Sequence, residues 1–156
     1  MKPGPLLLCA TLCAAAITPF GASAADKPAF EKTEDAVRYR KAAFTLIGEH
    51  MGRVGDELRA ARPDPQKLRT SSEFIAFLSG APWEAFGADT AAFKGTKAHP
   101  AIWTDRARYD RLAENMRTEA RKLGSTAAGG DAAAIRAQFG SLGQTCKACH
   151  DDFKSK

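Results

Sequence analysis

The chain has 156 residues, the length of one ordinary domain, and its 23 lysine and arginine residues against 18 aspartate and glutamate residues give a formal net charge of +5. The basic residues are scattered along the sequence and mixed with acidic ones, whereas nucleic-acid-binding proteins gather theirs into a patch or stripe. Length and charge therefore predict a single domain and exclude nucleic acid as the expected partner.

The first 24 residues have the pattern of a secretory signal peptide. Lys2 supplies the positive start, residues 6–17 form an apolar stretch, and Ala-Ser-Ala at residues 22–24 is a typical cleavage site. The apolar stretch is too short to span a bilayer. We therefore expect an exported protein without a membrane span, whose mature domain comprises residues 25–156 and begins at Ala25.

Two helices are predicted in the first half of the mature chain, at Thr33–Ala60 and Pro65–Ser79. In the first, the spacing between core positions alternates between three and four residues once Arg40 is counted, which is typical of a helix in a bundle. These positions are Val37, Arg40, Phe44, Ile47, Met51, Val54 and Leu58. The second helix has Leu68, Ile75 and Leu78 on one side.

A long connection and two further helices follow. The connection, residues 80–103, is rich in aromatic residues and is expected to pack over neighbouring structure. The third helix is predicted to begin near Thr104, a good N-cap residue, and the fourth follows Asp131. The third carries Tyr109, Leu112, Met116 and Leu123, and the fourth carries Ile135, Phe139, Leu142, Cys146, Cys149 and Phe153 in one row. Four amphipathic helices without a strand pattern predict an all-α four-helix bundle.

The most informative motif is Cys146-Lys147-Ala148-Cys149-His150, within the fourth helix. Helix positions i and i+3 lie on one face, so both thiols can add to the two vinyl groups of one haem, and the next histidine can ligate its iron. C-x-x-C-H is typical of covalent c-type haem attachment. Since Cys146 and Cys149 belong to the core row, the haem is expected inside the bundle, near the C-terminal helix.

Other interpretations of the motif fit less well. A structural zinc site needs four ligands, commonly two cysteine pairs or a cysteine pair with a spaced histidine pair. Cys9 and Cys13 leave with the signal peptide, and His50 and His99 do not form such a pair with each other. A thioredoxin-like dithiol needs a βαβ setting, and no strand pattern lies nearby. A chance occurrence on a structural helix is the remaining alternative, and no disulfide is expected.

The residue on the other side of the iron decides the chemistry, and Met51, Met116, His50 and His99 are the candidate ligands. A guanidinium within an apolar stripe is costly unless an anion meets it, and a haem propionate would satisfy Arg40, with help from Lys41. The alternative is that Arg40 extends to the edge of the bundle and into water.

If Arg40 marks the haem edge, the next turn of the helix places Phe44 over the ring. Met51 lies two turns beyond Phe44, about 10 Å along the axis, which is too far to reach the same iron. His50 lies about 100° around the helix from Met51 and leaves the stripe. Phenylalanine cannot ligate iron, so the pattern predicts a five-coordinate iron with His150 as its only protein ligand.

The mature chain resembles the class II c-type cytochromes, specifically the cytochrome c prime family. The resemblance is carried by Glu34–Arg40, Ala81–Gly87, Pro100–Trp103 and the C-terminal Cys146–His150 motif. It implies an antiparallel bundle, a homodimer, a bacterial periplasmic location, and binding of nitric oxide and carbon monoxide. Low-spin members carry methionine at the position of Phe44, whereas high-spin members carry an apolar residue.

Two positions depart from the family pattern. Members often carry arginine five residues after the second cysteine, where this chain has Lys154, and often glutamine at the position of Lys41. Lysine keeps the positive charge but lacks the planar fork of a guanidinium.

The resulting expectation is a periplasmic, high-spin haem c protein that binds nitric oxide and carbon monoxide and cycles one electron. The alternative is an electron shuttle of the low-spin type whose gas binding is incidental. An enzyme would need a distal acid/base or a second metal, which Phe44 and an apolar stripe do not supply, so no catalytic activity is expected. The sequence does not indicate a redox partner protein.

Overall fold

The computed structural model describes residues 29–156, which form an antiparallel bundle of four long helices. The helices are α1 (Thr33–Arg59), α2 (Pro65–Leu78), the short α3 (Ala101–Thr104), α4 (Arg106–Ala128) and α5 (Ala132–Phe153). Helix α2 packs against α1 and α4, and α4 packs against α5. The described residues contain no named strand, and no helix among them is long and apolar enough to cross a membrane. The predicted signal peptide lies outside the described residues.

Side-chain caps fix where three of the helices begin. The Asp64 carboxylate accepts hydrogen bonds from the backbone N–H groups of Gln66 (2.8 Å) and Lys67 (3.3 Å), and Pro65 occupies the first turn of α2. Asp131 caps α5 in the same way, as the sequence predicts. The predicted cap of the third long helix was wrong by one residue, because Asp105 caps α4 while Thr104 ends the separate helix α3.

The core consists of two clusters of buried side chains. The larger joins all four long helices through apolar residues, among them Val54, Leu68, Ile75, Leu123, Ile135 and Leu142. The smaller contains Phe86, Ile102, Tyr109 and Phe153, and we call it the aromatic cluster. Phe44 and Trp83 contact both clusters, so they mark the junction between them.

The long connection packs over the end of the bundle that carries the C-terminal motif, as its composition predicts. It contains 3-10 turns at Trp83–Ala85 and Ala88–Thr90. The indole N–H of Trp103 donates to the Gly87 carbonyl at 3.0 Å. The His99 N–H donates to the Phe153 carbonyl at 3.0 Å, and the Ser155 N–H to the Lys97 carbonyl at 2.8 Å. These bonds fix the C-terminal end of α5 against the connection.

Contacts between α1 and α5 give their relative register. The Arg136 guanidinium donates to the Leu58 carbonyl, and the Phe139 ring lies 3.6 Å from where a Cβ on Gly55 would stand. Three residues forward on α1 therefore correspond to three residues back on α5. The two helices therefore run antiparallel.

Candidate haem-binding site

Cys146 and Cys149 lie on one face of α5, and both side chains are half-buried. Cys146 packs against the larger core cluster and Cys149 against the aromatic cluster, so the pair spans the junction that Phe44 also occupies. This placement confirms that the two cysteines belong to the inward row of the helix. A planar group attached to both would enter the bundle between the clusters.

The electrostatic setting of the two thiols argues against the other interpretations of the motif. Burial raises the pKa of Cys146, and burial together with the charges of Cys146 and Asp152 raises the pKa of Cys149 to about 11. Redox-active and metal-binding cysteines have lowered thiol pKa values. Among residues 29–156, no group of three or more histidine, cysteine, aspartate and glutamate side chains could hold a metal ion. Zinc and dithiol chemistry are therefore disfavoured.

His150 follows the second cysteine and lies on the exposed side of the same turn. Desolvation lowers its pKa, the positive charge of Lys154 lowers it further, and Asp151 opposes the shift. A lowered pKa favours the neutral imidazole, which is the form that ligates iron. The charge of Lys154 thus lowers the pKa of His150. The backbone of Lys154 forms an isolated antiparallel β-bridge with Ala98 at the end of α5.

The register of α1 and α5 places Phe44 at about the level of His150. Phe44 is eleven residues before Gly55, and His150 is eleven residues after Phe139. By the same count, Met51 is level with Gly143, two turns or about 10 Å away. Phe44 and Met51 are thus about two helical turns apart along α1, and that Met51 is too far from the iron to ligate it stays a prediction.

The surroundings of Phe44 are aromatic. Its ring centroid lies 5.8 Å from that of Trp83, edge-on, and 6.4 Å from that of Phe86. Edge-to-face packing at these distances is the favoured arrangement of aromatic rings and fixes the side chain.

The other candidate ligands lie elsewhere. Met116 is buried in the larger cluster, and Met51 packs against that cluster from its edge. The His50 ring stacks on Phe74 at 4.7 Å, and the exposed His99 accepts a hydrogen bond from the Ala101 N–H through Nδ1. The aromatic cluster around Cys149 includes none of these four residues.

Arg40 is 2% exposed, so the alternative in which it extends into water is wrong. Its Nη1 donates to the Ala85 carbonyl at 2.8 Å and to Thr90 Oγ1 at 2.9 Å, and its guanidinium carbon lies 4.2 Å from the Phe86 ring centroid. Desolvation lowers its pKa. Its Nη2 is buried without a hydrogen-bond partner. A buried cation with a free donor is costly, and an anionic acceptor beside Nη2 would complete the site.

Lys41 lies next to Arg40 on α1 but on the solvent side. Its side chain is exposed, and Nζ donates to the Gly95 carbonyl at 3.2 Å. Lys41 is therefore at the rim of the site, beside the long connection, while Arg40 is inside it.

Sequence reasoning missed the residues that hold Arg40 and the hydroxyl of Tyr109. Ala85 and Thr90 lie 45 and 50 residues from Arg40 along the chain, and no spacing rule connects positions so far apart. Tyr109 was assigned only a core position, yet its buried hydroxyl has no hydrogen-bond partner. A tyrosine in a core row is the signal that could have drawn attention to it, since a buried hydroxyl needs a partner.

Comparison with protein families gives a match over nearly the whole described chain. The model of the family described as cytochrome C' matches residues 35–154. A cytochrome c' from Rubrivivax gelatinosus is 39% identical over 128 residues, covering 81% of this chain and 99% of the relative. A cytochrome c' from Alcaligenes xylosoxydans is 38% identical, covering 81% of this chain and 98% of the relative.

Solved structures agree with the sequence matches. The crystal structure of the Rubrivivax gelatinosus cytochrome c' superimposes with a TM-score of 0.77 at 38% identity, covering 81% of this chain and 99% of that one. A nitric oxide complex of a mutant cytochrome c prime from Alcaligenes xylosoxidans superimposes with a TM-score of 0.74 at 38% identity, with 81% and 98% coverage.

Proposed function

This chain belongs to the cytochrome c' family, and we propose that it is a periplasmic protein whose five-coordinate, high-spin iron binds nitric oxide and carbon monoxide. The family's cofactor is haem c, which when bound supplies the gas-binding and one-electron chemistry. In this proposal Cys146 and Cys149 anchor it and His150 is the only axial ligand from the protein. The observation that supports the proposal most directly is that Phe44 packs against both core clusters, the same two that Cys146 and Cys149 contact from α5.

The residues around the two cysteines fit a haem. The only polar substituents of the porphyrin edge are two propionates, and Arg40 Nη2 is a buried donor that needs an anionic acceptor. Arg40 would hold one propionate from inside the pocket, and Lys41 would attract it from the rim. The aromatic rings of Phe44, Trp83 and Phe86 offer the remaining apolar surface.

Phe44 is the residue that would keep the second axial position open. Its ring cannot ligate, and its edge-on contacts with Trp83 and Phe86 hold it in place. A small diatomic gas would enter only by displacing this ring. A related cytochrome c prime from Alcaligenes xylosoxidans has been solved as its nitric oxide complex, which supports the same ligand here.

The alternative function is electron transfer alone, with gas binding incidental. Both functions use the same cofactor, and the fixed aromatic side chain at Phe44 favours the gas-binding one. Catalysis is not part of the proposal, because the titratable groups of the pocket are unsuited to proton transfer. Arg40 is held by two hydrogen bonds, and burial raises the pKa of Tyr109 far above neutral.

Optical spectra of both oxidation states, with and without nitric oxide, test the proposal. We expect high-spin spectra in both resting states and a new ferrous spectrum when nitric oxide is added. Spectra that are low-spin in both states before the gas is added would instead support the electron-shuttle function.

Export with cleavage before Ala25 is the second expectation. Replacing Ala24→Arg should block removal of the leader, because the residue before the cut must be small, whereas Ser23→Arg at the variable middle position should be tolerated. Intact mass and N-terminal sequencing of protein from the periplasmic fraction measure the outcome. A soluble product that starts at Met1 would contradict the assignment.

The association of two copies is proposed through an exposed apolar surface. Ala36 and Ala43 of α1 are only 3% and 6% exposed and belong to the monomer's own core, so they do not supply that surface. Of the four exposed large hydrophobic residues described, Leu46 lies on α1 and Phe74 and Phe77 lie on α2, and the fourth is Tyr39 of α1. Exposed apolar patches of this kind mark interaction sites.

Leu46, Phe74 and Phe77 form one strip across α1 and α2. Leu46 and His50 are one turn apart on α1, the His50 ring stacks on Phe74, and Phe77 is one turn beyond Phe74 on α2. Phe77 is 82% exposed, more than any other large apolar residue described. The strip fits a second copy of the same chain, since a two-fold axis would bring like apolar residues together.

Replacing Phe77→Asp should weaken the dimer at least tenfold, because two like charges, one from each copy, would replace two apolar rings at the interface. Folding should be little affected, since the side chain is exposed in the monomer. Sedimentation velocity at micromolar concentrations measures both species, with Ala133→Asp on the exposed side of α5 as the control. A wild type that stays monomeric throughout this range would refute the dimer.

A further inference from the structure

Tyr109 carries an unexplained polar atom in the centre of the aromatic cluster. The residue is 2% exposed, and its ring centroid lies 5.3 Å from that of Phe86, 5.4 Å from that of Phe153 and 6.0 Å from that of Trp83. Its hydroxyl is buried without a hydrogen-bond partner. Phenylalanine would fill the same volume without the cost of burying an unpaired hydroxyl, so the hydroxyl needs an explanation.

Tyr109 and Arg40 border the same aromatic side chain. The Arg40 guanidinium carbon lies 4.2 Å from the Phe86 ring centroid, and the Tyr109 ring centroid lies 5.3 Å from it. Cys149, the second haem-attachment cysteine, packs against the cluster that contains Tyr109 and Phe86. Arg40 Nη2 and the Tyr109 hydroxyl are thus two buried groups around one ring, and each has a hydrogen to donate and no partner.

No protein acceptor in the described residues takes either hydrogen bond. The Asp110 carboxylate and the Phe86 carbonyl already accept hydrogen bonds from Arg106, at 2.8 Å and 2.9 Å. Apart from its carboxylates, the edge of a haem is hydrocarbon. We propose that the Tyr109 hydroxyl donates a hydrogen bond to a haem propionate, beside the one from Arg40. This inference rests on the proposed haem binding and adds a residue to it.

The proposed hydrogen bond would hold that propionate in its charged form. A donor to a carboxylate lowers the carboxyl pKa, and removing the donor raises it. The charged groups that face this region come from α1, the long connection, α4 and α5; they are Arg40, Asp89, Arg106, Asp110 and Asp152, while Cys149 would be a thioether and would not titrate. All of them are unchanged in a Tyr109→Phe variant, so the variant isolates the hydroxyl.

The test compares haem-loaded wild type with Tyr109→Phe. The control is Tyr39→Phe, because Tyr39 is the chain's other tyrosine and lies at the surface. Its ring centroid is 5.1 Å from that of Phe30. Haem propionates labelled with carbon-13 at the carboxyl carbon give an identifiable infrared band. We expect Tyr109→Phe to shift that band and to weaken the acid dissociation of one propionate about tenfold, and Tyr39→Phe to change neither.

The reduction potential as a function of pH gives a second readout. Without the donor, the propionate presents more negative charge, which favours the ferric iron, so Tyr109→Phe should have the lower potential above the propionate pKa. Below that pKa the propionate is neutral and the two curves should converge. An unchanged infrared band, or a potential difference that is the same at every pH, would overturn the inference. A wild type that carries no haem would instead refute the proposed function itself.

Discussion

Replacing Phe44→Met should convert the iron wholly or partly from five-coordinate, high-spin to six-coordinate, low-spin. Phe44 of α1 packs against the same two core clusters as Cys146 and Cys149 of α5, so residue 44 borders the proposed haem pocket. A methionine there would present a thioether sulfur where the phenylalanine ring now stands, and methionine with histidine is a common axial pair in c-type cytochromes. Optical and magnetic spectra of both oxidation states measure the conversion. Carbon monoxide should bind more weakly, since it must displace the sulfur.

Replacing Phe44→Ala should act in the opposite direction. The iron should remain high-spin, and carbon monoxide should bind faster, because the ring held between Trp83 and Phe86 no longer covers the open position. Stopped-flow or flash-photolysis rates measure the change. The unfolding free energy should fall by about 3 kcal/mol or less, since Phe44 is only partly buried.

Met51→Leu is the matched control for the Phe44 variants. Met51 packs at the edge of the larger core cluster, two turns from the level of His150, so the change should cost less than about 1.5 kcal/mol and leave the spectra unaltered. A wild type that is low-spin and becomes high-spin on Met51→Leu would show that Met51, not Phe44, occupies the distal side. The protein would then be a methionine-ligated electron carrier.

Replacing both Cys146→Ala and Cys149→Ala should abolish covalent haem attachment entirely. The two half-buried thiols face the junction of the core clusters, and each would form one thioether. Mass spectrometry under denaturing conditions, on protein produced with the haem-ligation machinery, should show the mature chain plus one haem for wild type. The double variant should have the mass of the chain alone.

The control for the cysteine variants lies within the same motif. Lys147→Ala removes an exposed side chain that forms an ion pair with Asp151 on the surface of α5, so haem attachment should persist. If acid-acetone extraction removes the pigment from wild-type protein, the covalent attachment is refuted. Haem binding without thioethers would then have to be explained by His150 and the pocket alone.

The sequence by itself determined the helices and the chemistry of the C-terminal motif. The spacing of apolar residues predicted α1 and α2 to within one residue of their observed bounds, and Asp131 was correctly predicted as the cap before α5, because burial of one helix face imposes a period. The Cys146–His150 motif predicts the attachment site because its chemistry is local to one helical turn. The sequence predicted Thr104, not Asp105, as the N-cap of α4, because the four-residue helix α3 is too short to show an apolar periodicity of its own.

Only the tertiary structure decided what surrounds the site. Arg40 is held by hydrogen bonds to Ala85 and Thr90, and the Tyr109 hydroxyl is buried without a partner. Neither feature follows from the spacing of residues within one helix. The strip of Leu46, Phe74 and Phe77 likewise became visible only when α1 and α2 were packed together. In the folded chain these three residues are exposed, whereas Ala36 and Ala43 of α1 are buried. Local periodicity determines which face of a helix is apolar. Long-range packing determines which element that face contacts, and which buried polar groups have no hydrogen-bond partner.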